Sequence, residues 1–348
     1  MDKQLVCAVA GSGKTTLLVS QIESAGRCLV ISYTRENVRS IEASLLKKYG
    51  RIPKNVYLTT YFSFLYRFCY RPFFHYTMRD KSFTWKLPPF ERGGPKKSCS
   101  RHYLTSNRYL YANRVAKLII ENEMLPKLTA RLEKYFDDFF IDEIQDFAAR
   151  DFDLVLGLSE AAVNTTFVGD YYQHTFDTSR DGPIRKNLHK KGLESYLHEF
   201  RNTDLAVDTS SLSKSYRCGP AICSFISKQL DIQIESHRDD ESKVEVISCS
   251  EKAAALFDDD TKVKLFYDEH YKYQCFSNNW GKCKGLNNYV DVCVVLNKKC
   301  SKLFADGKLA ELPDSTKNKL YVACSRAKGD LYILNSDAAT ARIDALAT

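Results

Sequence analysis

The chain has 348 residues, 44% of them apolar, and a net charge of +8. That length holds about two domains with a sizeable buried core, and the apolar share excludes a disordered chain. No apolar run reaches the roughly 18 residues of a membrane-spanning helix. The opening MDKQLVCAVA, soon broken by Gly11, is too short for a secretory leader, so a cytoplasmic location with no membrane partner is expected. The twelve cysteines are scattered, with no C-x-x-C pair and no histidine at zinc-finger spacing. They read as reduced, mostly buried thiols.

In chain order, the apolar run Leu5–Ala8 predicts a short buried strand. Thr15–Ala25, with Leu18 and Ile22 one turn apart and Gly26 as a stop, predicts a helix. Between them, AVAGSGKT (8–15) has the Gly-Lys-Thr ending of a phosphate-binding loop, although Ala8 stands where that pattern has glycine. A loop joining a strand to a helix points backbone N–H groups and the helix N-terminus at an anion. Ala10, Gly11, Ser12, Gly13, Lys14, Thr15 and Thr16 are therefore candidate nucleotide-binding residues. Lys14 would reach the outer phosphates, and the Thr15 hydroxyl would hold Mg2+.

Residues 61–117 carry twelve Lys or Arg against two Asp or Glu, together with fifteen aromatic rings. Interleaved cations and rings suit a nucleic-acid surface, since cations neutralise phosphates and rings stack on bases. The same composition also suits a small subdomain whose rings form its own core. Pro88–Ser98, rich in Pro, Gly and Lys, reads as a loop within this stretch, and Asp177–Gly192 as a second polar stretch.

Asp138–Ile141 is an apolar run that ends in Asp142 and Glu143, and Thr166–Val168 is another that ends in GDYYQ (169–173). In an open α/β sheet the carboxyl ends of strands are where ligands bind. Asp142 is placed to hold the Mg2+ touched by Thr15, Glu143 to polarise an attacking water, and Gln173 to sense a terminal phosphate. Arg217 precedes Pro220, which suits a helix start. Lys319–Lys328 predicts a late helix with Leu320, Ala323, Cys324 and Ala327 as its apolar stripe and Arg326 to one side, and Leu331–Leu334 a strand.

The ordered set AVAGSGKT, SYTREN, TTYFSF, DEIQD, VGDYYQ, SYR, CKGL and VACSRA resembles the UvrD/Rep-type superfamily 1 helicases over residues 8–327. The resemblance implies an α/β fold of two RecA-like P-loop NTPase lobes with parallel sheets, and a small basic, aromatic-rich insertion in the first lobe. By it, residues 1–60 and 129–210 make the first lobe, 61–128 the insertion and 211–348 the second lobe; the largest departure is that only 67 residues separate Arg217 from Gly285, where full-length relatives insert a whole domain, so no large accessory domain is expected there. It implies ATP and Mg2+ as ligands, with Lys14, Asp142, Glu143, Gln173, Arg217 and Arg326 as catalytic residues. Tyr216 would stack on adenine and Gly285 would belong to the nucleotide site. Thr34, Arg35, Thr60, Tyr61 and Ser63 fall where the family grips a single strand, and Phe176 is the remaining candidate to stack on a base. The implied activity is ATP-driven movement on single-stranded nucleic acid, DNA favoured over RNA, running 3′ to 5′.

Three further departures bear on this. Only four residues precede the strand Leu5–Ala8, GLNN (285–288) lacks the glutamate that usually follows Gly-Leu, and the tryptophan usual after the GDxxQ segment is absent. The first two weaken the expected base selectivity, although Asn287 could still bond a ribose. An ATP-switched regulatory subunit of a nuclease complex, of the antiphage-defence kind, is the alternative expectation.

Overall fold

The computed structural model describes residues 1–22, 26–88, 99–175, 183–286 and 288–335. Two units divide the chain. The first gathers Met1–Val6, Thr15–Gly169 and Phe176–Asp208; the second gathers Cys7–Lys14, Asp170–Thr175 and Thr209–Thr348.

β1 (Lys3–Ala8) leads through the Gly-rich loop into α1 (Lys14–Gln21). β2 (Cys28–Ser32) is buried at every position. α2 (Arg35–Tyr49) begins where the Thr34 side chain accepts from the Asn37 N–H and ends at Gly50, left-handed with φ 70°, whose N–H returns to Leu46 O. Glu36 in its first turn and Lys47 and Lys48 in its last match the helix dipole. After β3 (Val56–Thr60) come α3 (Tyr61–Phe64), a wide π-type turn over Leu65–Tyr70, and α4 (Arg71–Met78). A parallel pair follows, β4 (Ser82–Thr84) with β5 (Tyr109–Tyr111), then α5 (Val115–Glu121) and α6 (Leu125–Tyr135). β6 (Asp138–Asp142), α7 (Ala149–Leu158), β7 (Asn164–Gly169), α8 (Leu193–Arg201) and β8 (Ala206–Leu212) complete the series.

The six-stranded sheet has the order β3-β2-β6-β7-β1-β8. Its β2–β3, β2–β6 and β6–β7 pairs are parallel, so the carboxyl ends of these four strands lie along one edge. That edge carries Tyr33–Arg35 after β2, Tyr61 after β3 and Glu143 after β6.

Between β3 and α6 the rings settle the two readings of composition largely towards a core. Phe64 stacks on Phe68, Tyr66 on Tyr70 and Tyr70 on Phe74, with centroids 5.1, 5.6 and 5.8 Å apart. Each pair is four residues apart, the spacing that puts side chains one above another on a helical face. Beneath them the buried Asp80 carboxylate accepts the hydroxyls of Tyr66 (3.0 Å) and Tyr70 (2.6 Å) and meets His75 Nδ1 at 2.9 Å. Burial, then the adjacent carboxylate, pushes the Tyr66 phenol up to about 12. Tyr76, Trp85 and Tyr109 remain exposed. Most of Pro88–Ser98 lies outside the described residues.

In the second unit, β9 (Lys214–Ser215), α9 (Pro220–Leu230) and β10 (Glu235–Ser236) precede β11 (Val244–Ile247), α10 (Ser250–Asp258) and β12 (Val263–Phe266). β13 (Ser277–Asn279), β14 (Val292–Val295), α11 (Lys298–Ala305), α12 (Asp314–Cys324) and β15 (Leu331–Leu334) follow. β9 and β10 pair in parallel, and β11-β15-β14-β12-β13 form a wholly parallel sheet. Trp280 is fully buried in the core, its indole N–H on Leu265 O at 2.8 Å.

The expected late helix is shifted. α12 starts at Asp314, just after Pro313, and ends at Cys324, which leaves Arg326 beyond its last turn. Polar Ser315–Lys319 hid the first turns from an apolar-stripe reading. All twelve cysteines carry free thiols and eight of them are buried.

Asp80→Ala would strip the two phenols of their acceptor inside the packed rings. The expected loss is about 2–3 kcal/mol of unfolding free energy, the usual cost of stranding buried polar partners. Urea titration followed by circular dichroism measures it, with Asp80→Asn expected to lose less.

Candidate nucleotide site

In the first unit the acids sit where the strand periods predicted. β6 delivers Asp142 into the interior, and its Oδ2 accepts the Ser32 hydroxyl at 3.4 Å from the end of β2. Glu143 turns the chain with φ 57° and ψ 45°, a left-handed conformation that a side-chain-bearing residue adopts only against a steric cost. Its carboxylate is buried and accepts the Gln145 amide. Gly169 at the end of β7 admits this arrangement, since a Cβ there would meet Gln145 Oε1 at 2.3 Å and Ile144 Cγ2 at 2.7 Å. Thr15 is half-buried and Thr16 exposed in the first turn of α1, which carries no acidic residue. A helix start without carboxylates keeps its N–H groups attractive to an anion.

The nucleic-acid candidates also lie in this unit. A cavity of about 560 Å³ is lined by Arg35, Thr60, Tyr61 and Ser63, joined by Phe62 and Trp85. Thr34 is the cap of α2, and the Thr60 and Ser63 side chains bond each other at 2.9 Å. Tyr61 is only 2% exposed: its hydroxyl donates to Asp151 at 2.8 Å and its ring meets Phe147 edge-on. It is a packed ring, and the exposed ring of the cavity is Trp85 at 67%.

The second unit gathers the Gly-rich loop, the segment after β7 and the two arginines. Gly11 and Gly13 have φ 73° and 92°. The Ser215 hydroxyl donates to Ala10 O at 2.7 Å and accepts the N–H groups of Arg217 (3.2 Å) and Cys218 (3.0 Å). Tyr216 N–H donates to Gly11 O at 2.9 Å. From the other side Ala10 N–H donates to the Tyr321 hydroxyl (2.8 Å), which donates to Asp170 Oδ2 (2.9 Å). That same Oδ2 accepts the Gln173 amide at 2.9 Å. Ser12 is buried, and its hydroxyl has no hydrogen-bond partner among the described residues.

Arg217 Nη1 donates to Ser325 O at 3.2 Å. Arg326, 2% exposed, donates through Nε to Val322 O and through Nη1 to Leu286 O, both at 3.2 Å. Leu286 follows Gly285, whose φ is 82°. Burial, and then the neighbouring Arg326, pulls the Arg217 guanidinium down to about 10. Two cations kept close in a dry neighbourhood favour an anion there. Lys14 is half-buried at the end of the loop, and Tyr216 is exposed. Phe176 and Asn287 lie outside the described residues.

In the second unit, a loop with two left-handed glycines, a buried serine hydroxyl and two arginines fit the phosphates of a nucleotide; in the first, the start of α1 carries no acid. Thr15 and Asp142 supply the oxygen donors that magnesium prefers. Sequence reasoning missed Ser215 and Tyr321, the two hydroxyls that hold the loop. Ser215 lies inside the SYR segment and Tyr321 beside the VACSRA segment, so position marked them but side-chain type did not.

The model of the viral superfamily 1 RNA helicase core domain matches residues 121–335. No curated protein matches the chain. Among solved structures, a complex of arterivirus nonstructural protein 10, a helicase, with DNA aligns at 16% identity and TM-score 0.49 over 99% of this chain. The same arterivirus protein in a second crystal structure aligns at 15% and 0.49 over 97%, and the PRRSV helicase at 13% and 0.48 over 96%. The chain spans 63%, 61% and 52% of those proteins' lengths.

Gly11→Ala would set a Cβ 2.6 Å from Arg217 Cβ and 2.8 Å from Ser215 Oγ at a left-handed position. It should cost at least about 2 kcal/mol, whereas Gly50→Ala, left-handed but with open space around it, should cost only about 1. Paired denaturation curves of the two variants check the difference.

Proposed function

The chain belongs to the viral superfamily 1 RNA helicase core domain family, and on that premise we propose that it is an ATP hydrolase stimulated by single-stranded nucleic acid, using turnover to move along or unwind that strand. One observation carries the reading: the Gly-rich loop is bonded to Ser215 and Tyr216 and shares a unit with half-buried Arg217, whose Nη1 donates to Ser325 O, and with buried Arg326, the next residue after Ser325.

Each side chain then has a task that its surroundings support. The N–H groups of Ala10–Thr16 and the Lys14 ammonium hold the outer phosphates. Thr15 and Asp142 would hold magnesium, which supplies charge neutralisation at those phosphates when bound. Glu143, fixed by Gln145, orients the attacking water and takes its proton. Arg217 and Arg326 neutralise charge that develops on the transferred group, a contribution worth roughly 10³–10⁵ in rate where arginines act this way. Gln173, tied to Asp170, reports the terminal phosphate to the Tyr321–Ala10 link. Tyr216 offers its exposed ring to the base.

For the strand, the family's name points to RNA, while the motif resemblance to UvrD/Rep proteins points to DNA and to 3′-to-5′ movement. The cavity of Arg35, Thr60, Ser63 and Trp85, at the carboxyl ends of β2 and β3, is where the strand runs. The nuclease-partner alternative gains no support from the comparisons.

ATP turnover should rise strongly with one of single-stranded DNA or single-stranded RNA and little with duplex. Equal turnover with and without nucleic acid sinks the proposal. Lys14→Ala should abolish hydrolysis with the fold intact. Arg326→Ala should keep nucleotide binding yet lose about 10³ in kcat. Strand binding should weaken with salt by about 0.7 in log–log slope per phosphate neutralised.

A further inference from the structure

Tyr216 does not stand alone. Its ring lies flat against the imidazole of His237, with centroids 4.0 Å apart and planes 12° from parallel. The pairing of β9 with β10 produces this. Ser236 is in register with Ser215, and the His237 N–H donates to Ser215 O at 2.9 Å, so the residue after each strand projects beside the other. β10 is fastened in turn: the Ser236 hydroxyl donates to Cys218 O at 2.8 Å, and Arg238 bonds Lys328 O at 2.6 Å and Arg217 O. The main-chain atoms that mount His237 therefore belong to the same bonded network that holds Gly11 and Arg217.

Tyr216 is 63% exposed and His237 is exposed as well. Two exposed rings pressed together gain little from burial alone. A free phenol there would exchange among rotamers; the stack removes that freedom before any ligand arrives.

We propose that His237 is a positioning residue for the nucleobase: it backs the Tyr216 ring, so that the base of a nucleoside triphosphate adds the third layer on the opposite face. This rests on the reading that Tyr216 meets the base. Recognition then comes from ring stacking, which accepts any flat base and favours the larger purines, and the phosphate end is handled separately by the loop whose Gly11 carbonyl takes the Tyr216 N–H. His237 acts through the ring and never touches the reacting phosphate, so its loss falls on KM and leaves kcat in place.

The test is steady-state ATP hydrolysis by the full chain, with the stimulating strand saturating, for His237→Ala, His237→Phe and Tyr216→Ala. His237→Ala should raise KM for ATP about three- to tenfold, the range that loss of an aromatic pair supports, with kcat changed by less than about twofold. His237→Phe, which keeps a flat ring, should restore KM. Because His237 is exposed, both variants should fold. An unchanged or lower KM in His237→Ala, while Tyr216→Ala raises it, overturns the backing role and leaves the base-stacking reading standing. A phenylalanine that fails to rescue also overturns it. An unchanged KM in Tyr216→Ala overturns the base-stacking reading itself, and the backing role with it.

Discussion

A single hydroxyl oxygen, that of Ser215, holds the second unit's chemistry together. It gives its proton to Ala10 O and receives two backbone N–H groups, from Arg217 and Cys218, across 205 positions of sequence. The contact exists only because Gly11 has no Cβ; Arg217 Cβ would otherwise collide with it. Everything after Ser215 is placed by that approach: Tyr216 by its bond to Gly11 O, and Arg217 beside Arg326. A pair of guanidiniums in a dry region is unfavourable by itself, and backbone carbonyls of Val322, Ser325 and Leu286 offset part of that cost. A bound polyanion would offset the rest.

The first unit solves a different problem, which is how to present carboxylates at a sheet edge without letting them drift. Asp142 is reached by the Ser32 hydroxyl from β2, and Glu143 is turned by a left-handed backbone and gripped by Gln145. Gly169 leaves space for that grip. Strain accepted at Glu143 is the local sign that geometry, rather than backbone comfort, has been selected there.

The parts of this site that could be read from sequence share one property: their residue types break a pattern. An apolar run that stops at Asp142-Glu143, or at Gly169-Asp170, announces a strand end, and parallel pairing then puts the acids on the ligand edge. Gly11 and Gly13 announce a left-handed loop. The parts that stayed hidden break nothing. Ser215 and Tyr321 are ordinary residues whose role depends on partners far along the chain. Tyr61 falls by motif position among the strand-gripping residues, yet the Asp151 carboxylate and Phe147 draw it inside. Composition gives the number of rings, but burial decides which are core, and only packing fixes burial. α12 began before its apolar stripe because Pro313 and Asp314, rather than hydrophobic spacing, set its start.

The second unit is discontinuous: it needs Cys7–Lys14, and β15 occupies an interior place in its sheet, between β11 and β14. During synthesis on the ribosome the Gly-rich loop emerges before its partners Ser215 and Tyr321, which come some two to three hundred residues later, and the sheet cannot close until Leu334 has left the exit tunnel. The loop must therefore wait for those later residues without its hydrogen bonds. Assembly of the unit therefore includes a long loop closure as its slow step.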